Sequence, residues 1–310
     1  MNGENNRVWR SALSCLILVG LVLWAFYQSA LGNEKPKRQK EISVILYNAG
    51  NGGWESLMEG MRQAEDYFSV NINYVTLRDE ADGEEQKKAI LREIENGAEG
   101  IILTVCDYEA LELFLRGENY TVPIIAVESG LNNPSFPLVS ADNYAMGKRL
   151  GEEIVADWQK EELPKVALVQ NTHTRDSVEQ RKEGLLAALE KEARLIDWEE
   201  ATAGCGADIA VALHKEAFLE IIEKKEALWQ EMDIYGIGNT SAIVAALDRG
   251  IIKKLVFQNE FNMGYLSVKA LLNKMENISG EELEEIEYYC VTRQELYGTE
   301  FEKLLFPIVE

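Results

Sequence analysis

After residue 40 the hydrophobic and polar positions alternate between two patterns. Short apolar, β-branched runs read as strands buried on both faces. They are EISVILY within EISVILYNAG (41–50), Asn71–Thr76, Gly100–Thr104 and Pro123–Val127. Between them lie stretches with helical spacing: Trp54–Phe68, with Leu57, Met58, Met61 and Ala64 on one face, then Glu84–Asn96 and Tyr108–Leu115. A second series opens at KVALVQ (165–170), followed by a helix from about Ser177 to Arg194 and a strand near Arg194–Glu200. Strands are again predicted at Asp233–Ile237 and Lys254–Gln258, with a helix Ala242–Asp248 between them. A helix at Gly151–Lys160 links the two series. Such alternation implies right-handed βαβ crossovers and parallel sheets, an α/β fold. The segment Ala207–Met232 reads either as one long helix or as a strand, Ile209–Leu213, followed by a helix. The pattern Asp-Ile-Ala-Val-Ala-Leu favours the strand. Its closeness to the preceding strand argues against it, because a parallel crossover needs a dozen or more residues.

The first forty residues belong to a different physical regime. Ser11–Asn33 holds no charged residue and is long enough to cross a bilayer as a helix. Trp9, Trp24 and Tyr27 stand where interfacial aromatics could lie. Retention as an N-terminal transmembrane anchor is expected, since the run is long for a signal peptide. Cleavage after Gly32 is the alternative. Cys15 opens the apolar run instead of ending it, which excludes a lipoprotein site.

Charge sharpens the division. The net charge is -22, from 31 cations and 53 anions. Residues 1–40 carry six cations and two anions, so the remaining 25 cations and 51 anions give the body -26. Nucleic acid is excluded as a partner, because its recognition needs cations to displace phosphate counterions. Four scattered Cys make neither a disulfide scaffold nor a zinc site, and read as buried free thiols. Neither G-x-S-x-G, H-E-x-x-H nor a P-loop occurs. No cofactor is implied, and an enzyme on the same architecture stays an alternative without a nucleophile–base pair to support it.

Several segments together carry a resemblance. They are ISVILYNAGNGGWESLMEGM, VPIIAVESG, LVSADNYAMGKRLGEEI, KVALVQNTHTRDSVEQRKEGLLAAL, DIYGIGNTSAIVAALDRG and KLVFQNEFNMGYLSVKAL. In this order and spacing the chain resembles the type 1 periplasmic sugar-binding family, the ribose-binding-protein-like group, over residues 41–310. The resemblance implies two Rossmann-like lobes with parallel sheets joined by a three-stranded hinge, with a ligand cleft at the carboxyl ends of the strands. It implies lobe 1 at about 41–141 and 259–289, and lobe 2 at about 142–258 and 290–310, while residues 1–40 stand apart as the membrane anchor or signal segment with its basic linker. Crossings are expected near Ala141, Asn259 and Cys290. It further implies an extracytoplasmic solute-binding protein for a sugar or sugar-like molecule, partnered by an ABC permease or a sensor histidine kinase. The cations across the span, two before and four after, would by themselves put the body inside. The resemblance is what puts it outside. A scaffold that has lost its ligand is a further alternative.

A sugar offers hydroxyls and a flat C–H face, so its site needs polar forks and an aromatic plate. By resemblance Trp54 is the plate, Asn51 the loop amide, and Glu128 the acid ending the fourth strand. Asn239 and Gln258 supply amides at strand ends. His214 falls where the family often has Asn, provided Ile209–Leu213 is a strand. Arg175 is a candidate cleft cation in the loop that also holds His173 and Asp176. Arg181 is expected to pack or pair on its own helix. Asn239 has a competing role as a helix cap, and Trp54 as a core anchor. Ser129 and Glu179 stand where the family often has Arg, which leaves a polyol, a modified sugar or a cationic molecule open as ligand. Glu128→Ala or Trp54→Ala is expected to abolish binding with little change in melting temperature.

Overall fold

The computed structural model describes residues 19, 21, 22, 24, 39–47, 53–77, 83–117, 122–131, 133, 135–169, 175–202, 206–228, 232–278, 284–298 and 301–305. The chain divides into two units, Met1–Gln39 and Lys40–Glu310. In the first, Val19, Leu21, Val22 and Trp24 are helical and exposed. Among the described residues no helix is long and apolar enough to cross a membrane. Most of the charge-free run Ser11–Asn33 lies outside those residues.

The second unit holds two sheets. One has five parallel strands in the order β2-β1-β3-β4-β5. These are β1 (Glu41–Tyr47), β2 (Asn71–Leu77), β3 (Gly100–Leu103), β4 (Ile124–Val127) and β5 (Leu138–Val139). The other has the order β11-β10-β9-β8-β6-β7. Its strands are β6 (Lys165–Leu168), β7 (Arg194–Asp197), β8 (Ile209–Ala212), β9 (Asp233–Ile237), β10 (Lys254–Gln258) and β11 (Tyr288–Thr292), the last antiparallel to β10. The central strands β3, β4 and β8 are buried at every position. That is why they read as continuous apolar runs without alternation.

Most predicted strands lie within a residue or two of these bounds; the one expected near Arg194–Glu200 stops at Asp197, where a helical turn, Trp198–Glu200, begins, and β5 and β11 have no counterpart in the sequence reading. The strand reading of Ile209–Leu213 holds. β7 is an edge strand paired with β6, and β8 pairs on β6's other side, so the chain passes over β6 instead of returning directly. The link helix runs from Asn143 to Asp157, eight residues ahead of the predicted start. Asp142 caps it, its carboxylate accepting from the Ala145 N–H at 2.9 Å. The helix expected to reach Arg194 ends at Leu189.

The chain passes from the first sheet to the second after β5, and back after β10. The final passage falls before Tyr288, where Ala141 and Ile286 form a parallel bridge. Cys290 itself pairs with Val256 inside the second sheet, a few residues past that passage. Four helices frame the cleft: α1 (Glu55–Phe68), α4 (Asn143–Asp157), α5 (Asp176–Leu189) and α9 (Glu260–Met275). They pack in two pairs that touch backbone to backbone. A Cβ on Gly60 of α1 would lie 1.9 Å from the Phe261 carbonyl oxygen of α9. A Cβ on Gly147 of α4 would lie 1.9 Å from the Arg181 carbonyl oxygen of α5.

Candidate functional site

The carboxyl ends of both sheets converge on one cleft, the position at which open parallel sheets bind ligands. From the first sheet and its helices come Tyr47, Trp54, Glu128 and Glu260. From the second come Arg175, Arg181, His214, Lys215, Asn239 and Gln258. Met146, Ile237 and Phe257 supply apolar wall. About 30 Å³ of open space remains among them, room for a water or two.

The aromatic floor follows from the end of β1. Tyr47 is its last residue, and Trp54 precedes α1. The Trp54 indole N–H donates to the Tyr47 carbonyl at 2.7 Å, and the two rings meet edge to face at 5.4 Å. Lys215, the first residue of α7 (Lys215–Leu228), lays its ammonium 3.7 Å from the Trp54 ring centroid. The same ammonium donates to the Gly53 carbonyl at 2.9 Å. Burial lowers its pKa. Arg175 stands 5.2 Å from the Tyr47 ring and donates to the Tyr47 hydroxyl.

Glu128 follows β4 with φ at 69°, a left-handed conformation that is uncommon for a non-glycine residue. Its carboxylate accepts from Arg181 Nη2 at 2.7 Å and from the Ser177 hydroxyl at 3.1 Å. Arg181 also donates to Asn143 Oδ1 at 2.8 Å and to the Leu213 carbonyl at 3.0 Å. Both members of the ion pair are about 5% exposed. This corrects the expectation for Arg181: its partners lie on other elements, not on its own helix. It brings to the acid a cation that Ser129 does not provide. Glu179 is exposed and outside the cleft.

A second charged group sits beside it. Glu216 Oε2 accepts from Arg175 at 3.1 Å and lies 2.8 Å from His214 Nδ1. Burial by itself would raise this acid, but the His214 hydrogen bond and the Arg175 and Lys215 charges hold it well below the usual carboxylate range. Glu260, the first residue of α9, shifts the other way. Burial pushes it up to about 7, Glu128 adds to the shift, and Lys215, Arg181 and a hydrogen bond from Asn239 oppose it.

Six of the seven candidates line this cleft: Trp54, Glu128, Arg175, His214, Asn239 and Gln258. Asn51 and His173 lie outside the described residues. The cap of α8 (Ser241–Asp248) is Thr240, not Asn239. Gln258 turns its amide oxygen toward the crossing and accepts from the Ala141 N–H at 3.3 Å. Tyr47, Lys215 and Glu260 escaped sequence reasoning. Tyr47 looks like one more apolar strand residue, and Glu260 like an ordinary first-turn acid. Lys215 had one signal, its place directly after the candidate His214. The expectation that replacing Trp54 or Glu128 spares stability is also corrected. Trp54 is 2% exposed within the core, and Glu128 neutralises a buried guanidinium. Cys106 is buried and Cys290 partly buried, and Cys205 lies outside the described residues.

Two discontinuous parallel α/β halves around a polar cleft floored by aromatic rings define the periplasmic-binding-protein architecture. Residues 42–281 match the periplasmic binding protein domain, and the chain belongs to that family. A carbohydrate transporter solute-binding protein from Agrobacterium radiobacter, solved with D-arabinose, has a similar fold, with a TM-score of 0.77 at 18% identity. The match covers 87% of this chain and 99% of that one. A solute-binding protein of an ABC transporter from Agrobacterium vitis, solved with D-fucose, matches with a TM-score of 0.75 at 15% identity. It covers 86% of this chain and 100% of that one. A third, from Actinobacillus succinogenes with D-allose, gives 0.70 at 15% identity, over 83% and 98% of the two chains. No curated protein matches the chain.

Proposed function

We propose that this chain is an extracytoplasmic solute-binding protein for a sugar or sugar-like small molecule. The observation that carries the reading is the cleft itself. An aromatic plate, Trp54, lines it together with amides and charged forks from Asn239, Gln258, Arg175 and Arg181 at the ends of two parallel sheets. The sugars bound by similarly folded proteins support the same ligand class. Ligand would shift an equilibrium of two lobes, about 41–141 with 259–289 and 142–258 with 290–310, by its greater affinity for the closed form. Partners would be an ABC permease or a sensor histidine kinase. The charge-free run Ser11–Asn33 supports a membrane tether, which fits a sensor of fixed stoichiometry.

Calorimetric titration of the soluble body with a panel of aldoses tests the reading. Saturable binding of at least one sugar, with the sugar recovered unchanged, is the expected result. Heat from product formation would support the enzyme alternative, and silence across the panel the scaffold. Mass spectrometry of the mature chain tests the tether: an N-terminus at Asn33 would mean cleavage and overturn it.

A further inference from the structure

The face of Trp54 on which a ring would stack is already covered. The Lys215 ammonium sits 3.7 Å from its centroid, and the cleft around it has only about 30 Å³ of open space. A pyranose ring cannot share that plate with the ammonium. Something in the lining must move, and the lining side chains differ in how firmly they are held. Arg181 donates to three partners on three elements. Arg175 bonds the Tyr47 hydroxyl and Glu216 and is 2% exposed. Among the described residues Lys215 is held by one backbone carbonyl and by the ring faces of Trp54 and, at 5.9 Å, Tyr47, on a flexible four-carbon stem.

We propose that Lys215 is a tethered competitor for the ring-stacking face of Trp54, and that it selects the ligand: a molecule gains the cleft only if its ring displaces the ammonium. Charge names the class of molecule. Among the described residues the cations Arg175, Arg181 and Lys215 stand with the lining acids Glu128 and Glu260 and with Glu216 behind Arg175; Glu260, raised to about 7, is part-charged at neutral pH, so the cleft is close to charge balance with no surplus of acid. In its seat the ammonium contributes to that balance within the field of all three acids. An added charge on the ligand would break it in a site of low dielectric. The ligand selected is therefore a neutral polyhydroxylated ring with one apolar face. The burial-lowered pKa of Lys215 fits a cation that leaves its seat at modest cost.

The inference rests on the sugar-binding reading, and two measurements separate their failures. In the first, the Lys215→Met variant and the unsubstituted chain are titrated with D-allose, D-arabinose and D-fucose. Loss of a desolvated cation–π competitor is expected to tighten binding of at least one probe about tenfold. Unchanged or weaker binding in the variant overturns the proposal. The second needs no sugar. Acrylamide quenching of Trp54 is taken as the difference between each protein and its Trp54→Phe counterpart. Quenching is expected to rise in Lys215→Ala, because the ring face loses its cover. If it does not, Lys215 does not cover the plate and the proposal falls, whichever sugars bind. If quenching rises while neither protein binds any probe, the competitor stands and the sugar reading fails.

Discussion

The two walls of the cleft are made of different chemistry. The wall from the first sheet brings rings and acids: Tyr47, Trp54, Glu128 and Glu260. The wall from the second brings the cations Arg175, Arg181 and Lys215, with the amides of Asn239 and Gln258. Every cation on the second wall reaches across: Arg181 to Glu128, Arg175 to the Tyr47 hydroxyl, Lys215 to the Gly53 carbonyl. Of these only Arg181–Glu128 is an ion pair across the cleft; Arg175 has its acid, Glu216, on its own wall. The same polar groups that could read a ligand also hold the walls together, so recognition and closure share one set of contacts.

The sharpest way to break this complementarity is to remove the first wall's acid. Glu128→Ala strands Arg181 as a buried charge and is expected to cost about 3–5 kcal/mol in denaturant unfolding. Glu128→Leu combined with Arg181→Met should recover most of that loss, because it removes both charges together. A penalty for the double variant as large as that of Glu128→Ala would mean the acid acts through something other than its cation.

Acidity offers a second way, because one acid of each wall is shifted in opposite directions. Glu260, raised to about 7 from its ordinary 4.5, holds its proton better folded than unfolded. Its effect is nil below about pH 4.5, and stability falls as pH rises from there to about 7. Glu216 is lowered, so its stabilising share is present above its ordinary 4.5 and lost as pH falls below that. Glu260→Gln is expected to lift melting temperatures at pH 7 relative to pH 5, by the equivalent of about 2 kcal/mol. Glu216→Gln is expected to flatten the acid limb. Identical pH profiles in the two variants would refute the assignment of opposite shifts.

The smallest expected effect concerns the crossing that joins the walls. Asp142→Ala removes the cap of α4 and should cost about 1 kcal/mol, read as a small drop in the unfolding midpoint. Asn259 caps α9 in the same way at the next crossing, accepting from the Asn262 N–H at 3.0 Å. A comparable loss from Asn259→Ala would show the two crossings to be equivalent.

Much of this was legible in the chain before its structure. Apolar runs such as ISVILY and IIAV announced buried parallel strands because such strands have no polar face to alternate. The strand-end residues Glu128, Asn239 and Gln258 are legible through the family resemblance, and Glu128 also because a buried acid at a strand end has few structural uses. What stayed hidden depended on the other wall. Arg181 looked like a helix-surface residue because its partner is 53 positions away and on another element. Lys215 and Glu260 looked like the charged first residues of helices, since no local pattern tells solvent from a cleft. The edge strand β11 alternates too weakly to announce itself.

The backbone contacts between helices have a mechanical consequence. α1 begins beside Trp54 and α9 begins with Glu260, and the Gly60 and Gly264 approaches leave no side chain between them to flex. α5 carries Arg175 at its start and Arg181 within it, and Gly147 and Gly184 fasten it to α4 in the same way. The plate and its acid therefore ride on one stiff lever, and the arginines on another. A displacement of an ångström in the cleft is carried along each helix pair to its far end instead of being absorbed by side-chain rearrangement. If ligand closes the cleft as proposed, the outer ends of these four helices are where a turn of one block against the other would show.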